Sequence, residues 1–157
     1  MPKPDSKREL NTLPNKEQMQ KVVEYAKQYS KGDFIIGIES CFSQLLAMYS
    51  ENKFWGNLNR GADKGCGAGI VSLSVNVDGL YSPCRHLDFF EKFDSMKDYW
   101  ENSSVLNKIR GVDENRKEPC FGCRFSPYCR HCLAINAKIH NDLYIGNEFC
   151  PIYEANN

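Results

Sequence analysis

Cys120-Phe121-Gly122-Cys123-Arg124-Phe125-Ser126-Pro127-Tyr128-Cys129-Arg130-His131-Cys132 carries four of the chain's eight cysteines. It reads as two C-x2-C steps with five residues between them. Such a step lets two thiolates turn toward one metal centre, so it recurs in both zinc and iron–sulfur sites. Zinc ribbons usually separate their pairs by about 15–20 residues, and the short spacer here lowers that reading without excluding it. Disulfides are the other use of so many cysteines. The opening Met1-Pro2-Lys3-Pro4-Asp5 has no apolar stretch behind it and does not read as a secretory signal. A cytoplasmic, reducing compartment is therefore expected, where dense cysteines more often mean metal.

Upstream, Cys66 stands in Gly65-Cys66-Gly67-Ala68-Gly69, glycines that let a backbone approach a metal centre closely and turn its N–H groups toward sulfur. Val71, Leu73, Val75 and Val77 then alternate with Ser72, Ser74 and Asn76, the period of a half-buried strand. Asp78-Gly79 follows, and the return segment begins at Leu80. An Asp-Gly pair between such runs predicts a two-residue type I′ hairpin turn with both residues at positive φ. Cys66 and Cys84 flank this hairpin and are expected to reach the same centre.

Farther along, Ser95 with Asp98 predicts a capped helix carrying Tyr99 and Trp100. Ser103 or Ser104 predicts a second helix ending at Gly111. A third helix is expected over 133–140. At the other end, Asn15 and Gln18 form a capping box for a helix carrying Met19, Val22, Val23, Ala26 and Tyr29, with Gly32 as its terminator. Residues 34–38 read as a short buried strand and 40–50 as a short helix.

The whole order is C-x12-G-x4-C from Cys66 through Gly79 to Cys84, a gap, C-x2-C-x5-C-x2-C, a second gap, and Cys150-Pro151. It resembles the seven-cysteine SPASM pattern of radical SAM peptide-modifying enzymes over about residues 64–152. That resemblance implies two auxiliary [4Fe–4S] clusters. Cys66, Cys84 and Cys132 would hold the first, and Cys120, Cys123, Cys129 and Cys150 the second. Cys41 is either the fourth ligand of the first cluster or a half-buried core thiol. An open iron is the third possibility. The family's last step in the quartet is usually C-x3-C, whereas only Arg130 and His131 intervene here. That departure leaves as the alternative a zinc-binding interaction module with one four-cysteine site at Cys120, Cys123, Cys129 and Cys132.

The fold class expected is α+β: a β-hairpin and short helices around two clusters (64–157), a connecting segment (41–63), and a helix–strand remnant resembling the end of a radical SAM partial barrel (1–40). No C-x3-C-x2-C triplet is present, and the chain is far short of a barrel of roughly 250 residues. It is not expected to cleave SAM alone, and SAM enters only with a separate radical SAM domain or subunit. The resemblance implies a role in electron transfer or substrate binding during maturation of a ribosomally made peptide, so the partners expected are a precursor peptide or a radical SAM domain. Lys plus Arg and Asp plus Glu balance at 20 each, giving no argument for nucleic acid or membrane. His86 and His131 could each ligand iron or zinc, but are read first as hydrogen-bonding neighbours of the centres or as surface residues; Arg85, Arg124 and Arg130 could offset cluster charge, but are read first as solvated side chains. There is no Ser/His/Asp set and no phosphate-cradling glycine loop.

Overall fold

A computed structural model describes residues 14–29, 39, 42, 65–147, 150 and 153. The expected strand at 34–38, the helix at 40–50, the terminator Gly32 and Cys41 all lie outside the described residues. Within them the chain is mixed α+β, with four α-helices and one two-stranded antiparallel hairpin. No helix among the described residues is long and apolar enough to cross a membrane.

Helix α1 (Lys16–Tyr29) opens on a reciprocal capping box. The Asn15 N–H donates to Gln18 Oε1 and the Gln18 N–H to Asn15 Oδ1, each at 2.9 Å. Met19 and Ala26 are buried, whereas Val22 and Tyr29 are half exposed, contrary to expectation. Met19 and Ala26, seven residues apart, stand in line along the helix. Val22 and Tyr29 each sit three residues on, at the rim of that stripe.

The hairpin departs from the predicted one in two ways. Strands β1 (Ser74–Val75) and β2 (Tyr81–Ser82) pair Ser74 with Ser82 and Val75 with Tyr81. The Asn76 N–H reaches the Leu80 carbonyl at 3.0 Å, and the Gly79 N–H reaches the Asn76 carbonyl at 3.1 Å. Only Gly79 takes positive φ, +76°. The loop is thus three residues closed by a left-handed glycine, not a two-residue type I′ turn. Asn76 decides this, because its Oδ1 accepts the N–H groups of Asp78 (3.0 Å) and Leu80 (2.9 Å).

The second departure is the face. Val71 and Val77 are 70% and 101% exposed, and Val75 is exposed as well. The Gly67 carbonyl accepts the N–H groups of Ile70, Val71 and Ser72, so residues 67–72 form a turn and do not extend the strand. Period-two alternation says which residues share a face, and pairing decides which face is covered.

Beyond the hairpin, Tyr81 and Glu91 exchange backbone hydrogen bonds of 2.8 and 2.9 Å on the free edge of β2. Helix α2 (Met96–Asn102) is capped by Ser95, whose Oγ accepts the Asp98 N–H at 3.1 Å. Helix α3 (Ser104–Arg110) is capped by Ser103 and stops at Gly111. Both helices match the sequence expectation, as does α4 (Leu133–His140), which ends at Asn141 in the left-handed conformation. Leu87, Ile109, Val112, Leu133, Ala134 and Leu143 form one buried cluster, with Cys84 and Cys132 packed on its edge. Tyr81 stacks on Tyr99 at 5.0 Å, and Phe93 meets Tyr99 edge-on at 5.4 Å.

Ser103 joins these parts. Fully buried, it donates its N–H to Tyr99 at the end of α2, accepts the Leu106 N–H at the start of α3, and bonds its hydroxyl to the Glu91 carboxylate. Ser103→Ala is expected to cost about 0.5–2 kcal/mol, the range for losing an N-cap side chain. It would be read as a lowered denaturant midpoint with an unchanged slope.

Candidate metal centre

The first group of thiols forms where three segments meet. Cys66 is held through its backbone: its carbonyl accepts from Arg130 Nη1 at 3.1 Å, and the Gly69 carbonyl accepts from Arg110 Nε at 3.0 Å. Cys84 lies in the loop after β2. That loop is closed by the buried Ser82 hydroxyl, which lies 2.8 Å from the Cys84 carbonyl and 2.9 Å from the Leu87 carbonyl. Cys132 is the residue before α4, and its carbonyl accepts the Asn136 N–H at 3.2 Å. The three thiols are near enough to perturb one another. Burial pushes Cys66 up, and nearby Cys84 adds to this. Burial pushes Cys132 up to about 11, with Cys66 and Cys84 contributing.

Backbone N–H groups face these sulfurs. Ala68 and Leu133 donate to Cys66, Ala134 and Ile135 to Cys132, and His86 to Cys84 at 3.4 Å. A thiol has little use for such donors, whereas a thiolate accepts them well. N–H groups on sulfur also tune the potential of a metal–thiolate centre.

The second group lines one cavity: Cys120, Cys123, Cys129 and Cys150. The space between them free of protein atoms is ≈ 390 Å³, counting what opens to solvent. Local turns aim the thiols. The Cys123 N–H returns to the Cys120 carbonyl at 3.3 Å, with Gly122 at φ +69° between them. A single 3₁₀ turn, Ser126–Tyr128, leads into Cys129. The Cys150 N–H bonds the Asn147 carbonyl at 3.0 Å.

The segment carrying Gly146 is laid directly on Cys120. The Lys117 N–H donates to the Tyr144 carbonyl at 2.8 Å, and the Gly146 N–H to the Glu118 carbonyl at 3.1 Å. The approach is so close that a Cβ on Gly146 would stand 2.5 Å from Cys120 Sγ and 2.7 Å from its backbone nitrogen. It delivers the Asn147 N–H to the Cys120 sulfur, while the His131 N–H donates to Cys129 Sγ at 3.3 Å. Burial pushes the Cys120 thiol up, and Cys129 and Cys123 add to this while Arg116 opposes it.

The seven described cysteines are thiols, with no disulfide among them. Cys132 stands with Cys66 and Cys84 and does not line the cavity of the quartet, where Cys150 takes the fourth place. Among the described residues no three His, Cys, Asp or Glu side chains converge tightly enough for a single ion. The donor set nevertheless suits a larger thiolate-bound group. Four sulfurs ring one cavity, backbone N–H groups point at sulfur, and a glycine keeps the wall thin.

Two residues are placed otherwise than the sequence reading had them. Arg130, expected in solvent, is 3% exposed. It donates to the carbonyls of Cys66 (3.1 Å) and Ile109 (2.6 Å), and its Nε lies 3.3 Å from Asp113 Oδ2, at ion-pair distance without hydrogen-bond alignment. Asp113 also pairs with Arg116, which lines the quartet's cavity. His131, 3% exposed, lines the same cavity, and neither ring nitrogen makes a well-aligned hydrogen bond, although the Leu143 carbonyl faces the ring. Its backbone is left-handed, at φ 47°. Burial, then Arg116, pushes it down to about 4, while the Leu143 carbonyl pulls the other way. Arg85 and Arg124 are exposed as expected. Gly146 carried no sequence signal, since its role depends on a segment far away along the chain. No family model matches the chain, and neither does any curated protein or solved structure.

Proposed function

We propose that this chain holds two [4Fe–4S] clusters as the auxiliary part of a radical SAM/SPASM-type maturase that modifies a ribosomally made peptide. The observation that carries the reading is the division of the described thiols into a set of three and a set of four. Cys132 leaves its sequence neighbour Cys129 to join Cys66 and Cys84, and Cys150 joins Cys120, Cys123 and Cys129. A zinc module on Cys120, Cys123, Cys129 and Cys132 would need Cys132 in the quartet's cavity.

Clusters of this type supply one-electron transfer, or an iron open to a ligand. The chain's own share is ligation by thiolate, exclusion of water and N–H donation to sulfur. Cys41 is proposed as the fourth ligand of the first set, with an open iron as the alternative. Without the triplet that binds SAM, the chain would act beside a radical SAM domain, to whose barrel α1 would belong. A precursor peptide would be the shared substrate and a reducing cytoplasm the setting.

The test is anaerobic reconstitution with iron and sulfide, followed by metal counts and EPR after reduction. About eight irons per chain, with two cubane signals, are expected. One zinc and no stable iron would sink the proposal in favour of the structural module.

A further inference from the structure

We propose that His131 donates a hydrogen bond to sulfur of the centre held by Cys120, Cys123, Cys129 and Cys150, and so raises its reduction potential; this rests on the two-cluster reading. An imidazole carries at least one N–H donor in either protonation state, and buried groups of this kind are nearly always paired. His131 is only 3% exposed, yet neither ring nitrogen makes a well-aligned hydrogen bond, the Leu143 carbonyl only approaching the ring. It also adopts a left-handed backbone, uncommon outside glycine. The same conformation brings its backbone N–H to Cys129 Sγ at 3.3 Å while the ring lines the cavity.

What the cavity offers that ring is sulfur. Four thiols surround it, and Arg116 brings positive charge to its wall. A neutral thiol is a weak acceptor, but thiolate and sulfide sulfurs carrying negative charge are good ones. An N–H on such a sulfur stabilises the more negative, reduced state over the oxidised one, which moves the potential upward. His131 is therefore a positioning and tuning residue, with the four thiolates complete without it.

The experiment compares full-length wild-type chain, His131→Phe and His131→Gln after reconstitution, by iron count and EPR-monitored redox titration. His131→Phe keeps the ring's bulk and removes the N–H, while His131→Gln restores a donor. The expected result is an unchanged iron count, one of the two midpoint potentials lowered in His131→Phe, and recovery toward wild type in His131→Gln. A purely structural histidine would not move one potential and leave the other. Wild-type chain carrying histidine labelled with ¹⁵N in the ring only gives a reading that needs no His131 variant to fold: a weak nitrogen coupling to the cluster whose signal Cys150→Ser removes supports donation. Unchanged potentials with no nitrogen coupling would overturn the inference. So would a strong coupling with loss of about four irons in His131→Phe, which would make His131 a ligand. Wild-type chain that binds no iron is a different result, and it removes the two-cluster reading itself.

Discussion

Cys150→Ser is expected to lower reconstituted iron from about eight to about four per chain and to erase one of two EPR signals. Cys150 lies beyond α4, far in sequence from the C-x2-C steps, yet it lines the same cavity as Cys120, Cys123 and Cys129. Serine offers a hard, protonated oxygen in place of a soft thiolate, a poor exchange for iron in a sulfur-bound cluster. The complementary change, Cys84→Ser, is expected to remove the other signal and leave this one. The pair separates the two readings sharply. A zinc site on Cys120, Cys123, Cys129 and Cys132 would keep its metal in both variants, and Cys150→Ser with undiminished metal would discard the assignment made here.

Gly146→Ala should do comparable damage without touching a single sulfur. The added methyl would sit 2.5 Å from Cys120 Sγ, 2.7 Å from its nitrogen and 2.9 Å from its Cβ. These atoms belong to backbone and a short side chain, so no rotamer change relieves the contact. The segments would have to part, loosening the bonds from Lys117 to Tyr144 and from Gly146 to Glu118 that hold them together. Overpacking of this kind costs about 1–3 kcal/mol. Parting also withdraws the Asn147 N–H from the Cys120 sulfur. The expected outcome is a lower thermal midpoint in metal-free protein and loss of about four irons on reconstitution. Full iron loading with an unchanged melting curve would show that the close approach is not required.

Local signals in this sequence were read correctly where the physics is local. Asn15, Ser95 and Ser103 cap the helices they were expected to cap, because a side-chain oxygen meets an N–H two or three residues on. The hairpin was half legible. Asp78-Gly79 marked the turn, but the Asn76 side chain, gathering two N–H groups, set its length. The valines announced a strand and not its exposed side. The C-x2-C steps were visible as chemistry, but nothing in the spacing alone sends Cys132 toward Cys66 and away from Cys129. Arg130 looked like an ordinary surface arginine, since its burial depends on the carbonyls of Cys66 and Ile109, both remote in sequence. Gly146 and His131 belong to the same class: their meaning appears only when α4 and the segment after it are laid against the cysteine-rich loop.

The two residues between Cys129 and Cys132 also limit how far the backbone can part between the two sets of thiols. Three residue steps of at most ~3.6 Å hold their Cα atoms within roughly 11 Å, and the left-handed turn at His131 shortens that reach. The sulfurs carry charge farther apart than the Cα atoms, and two unit charges at ~15 Å, at an effective dielectric of about 20, repel by roughly 1.1 kcal/mol. On the two-centre reading, an electron delivered to one side therefore raises the cost of a second electron on the other. Arg130 by the first set and Arg116 by the second, joined through Asp113, blunt that repulsion without removing it. Were both sets loaded, reduction would be anticooperative, and the short spacer would have the pair accept electrons singly, in sequence.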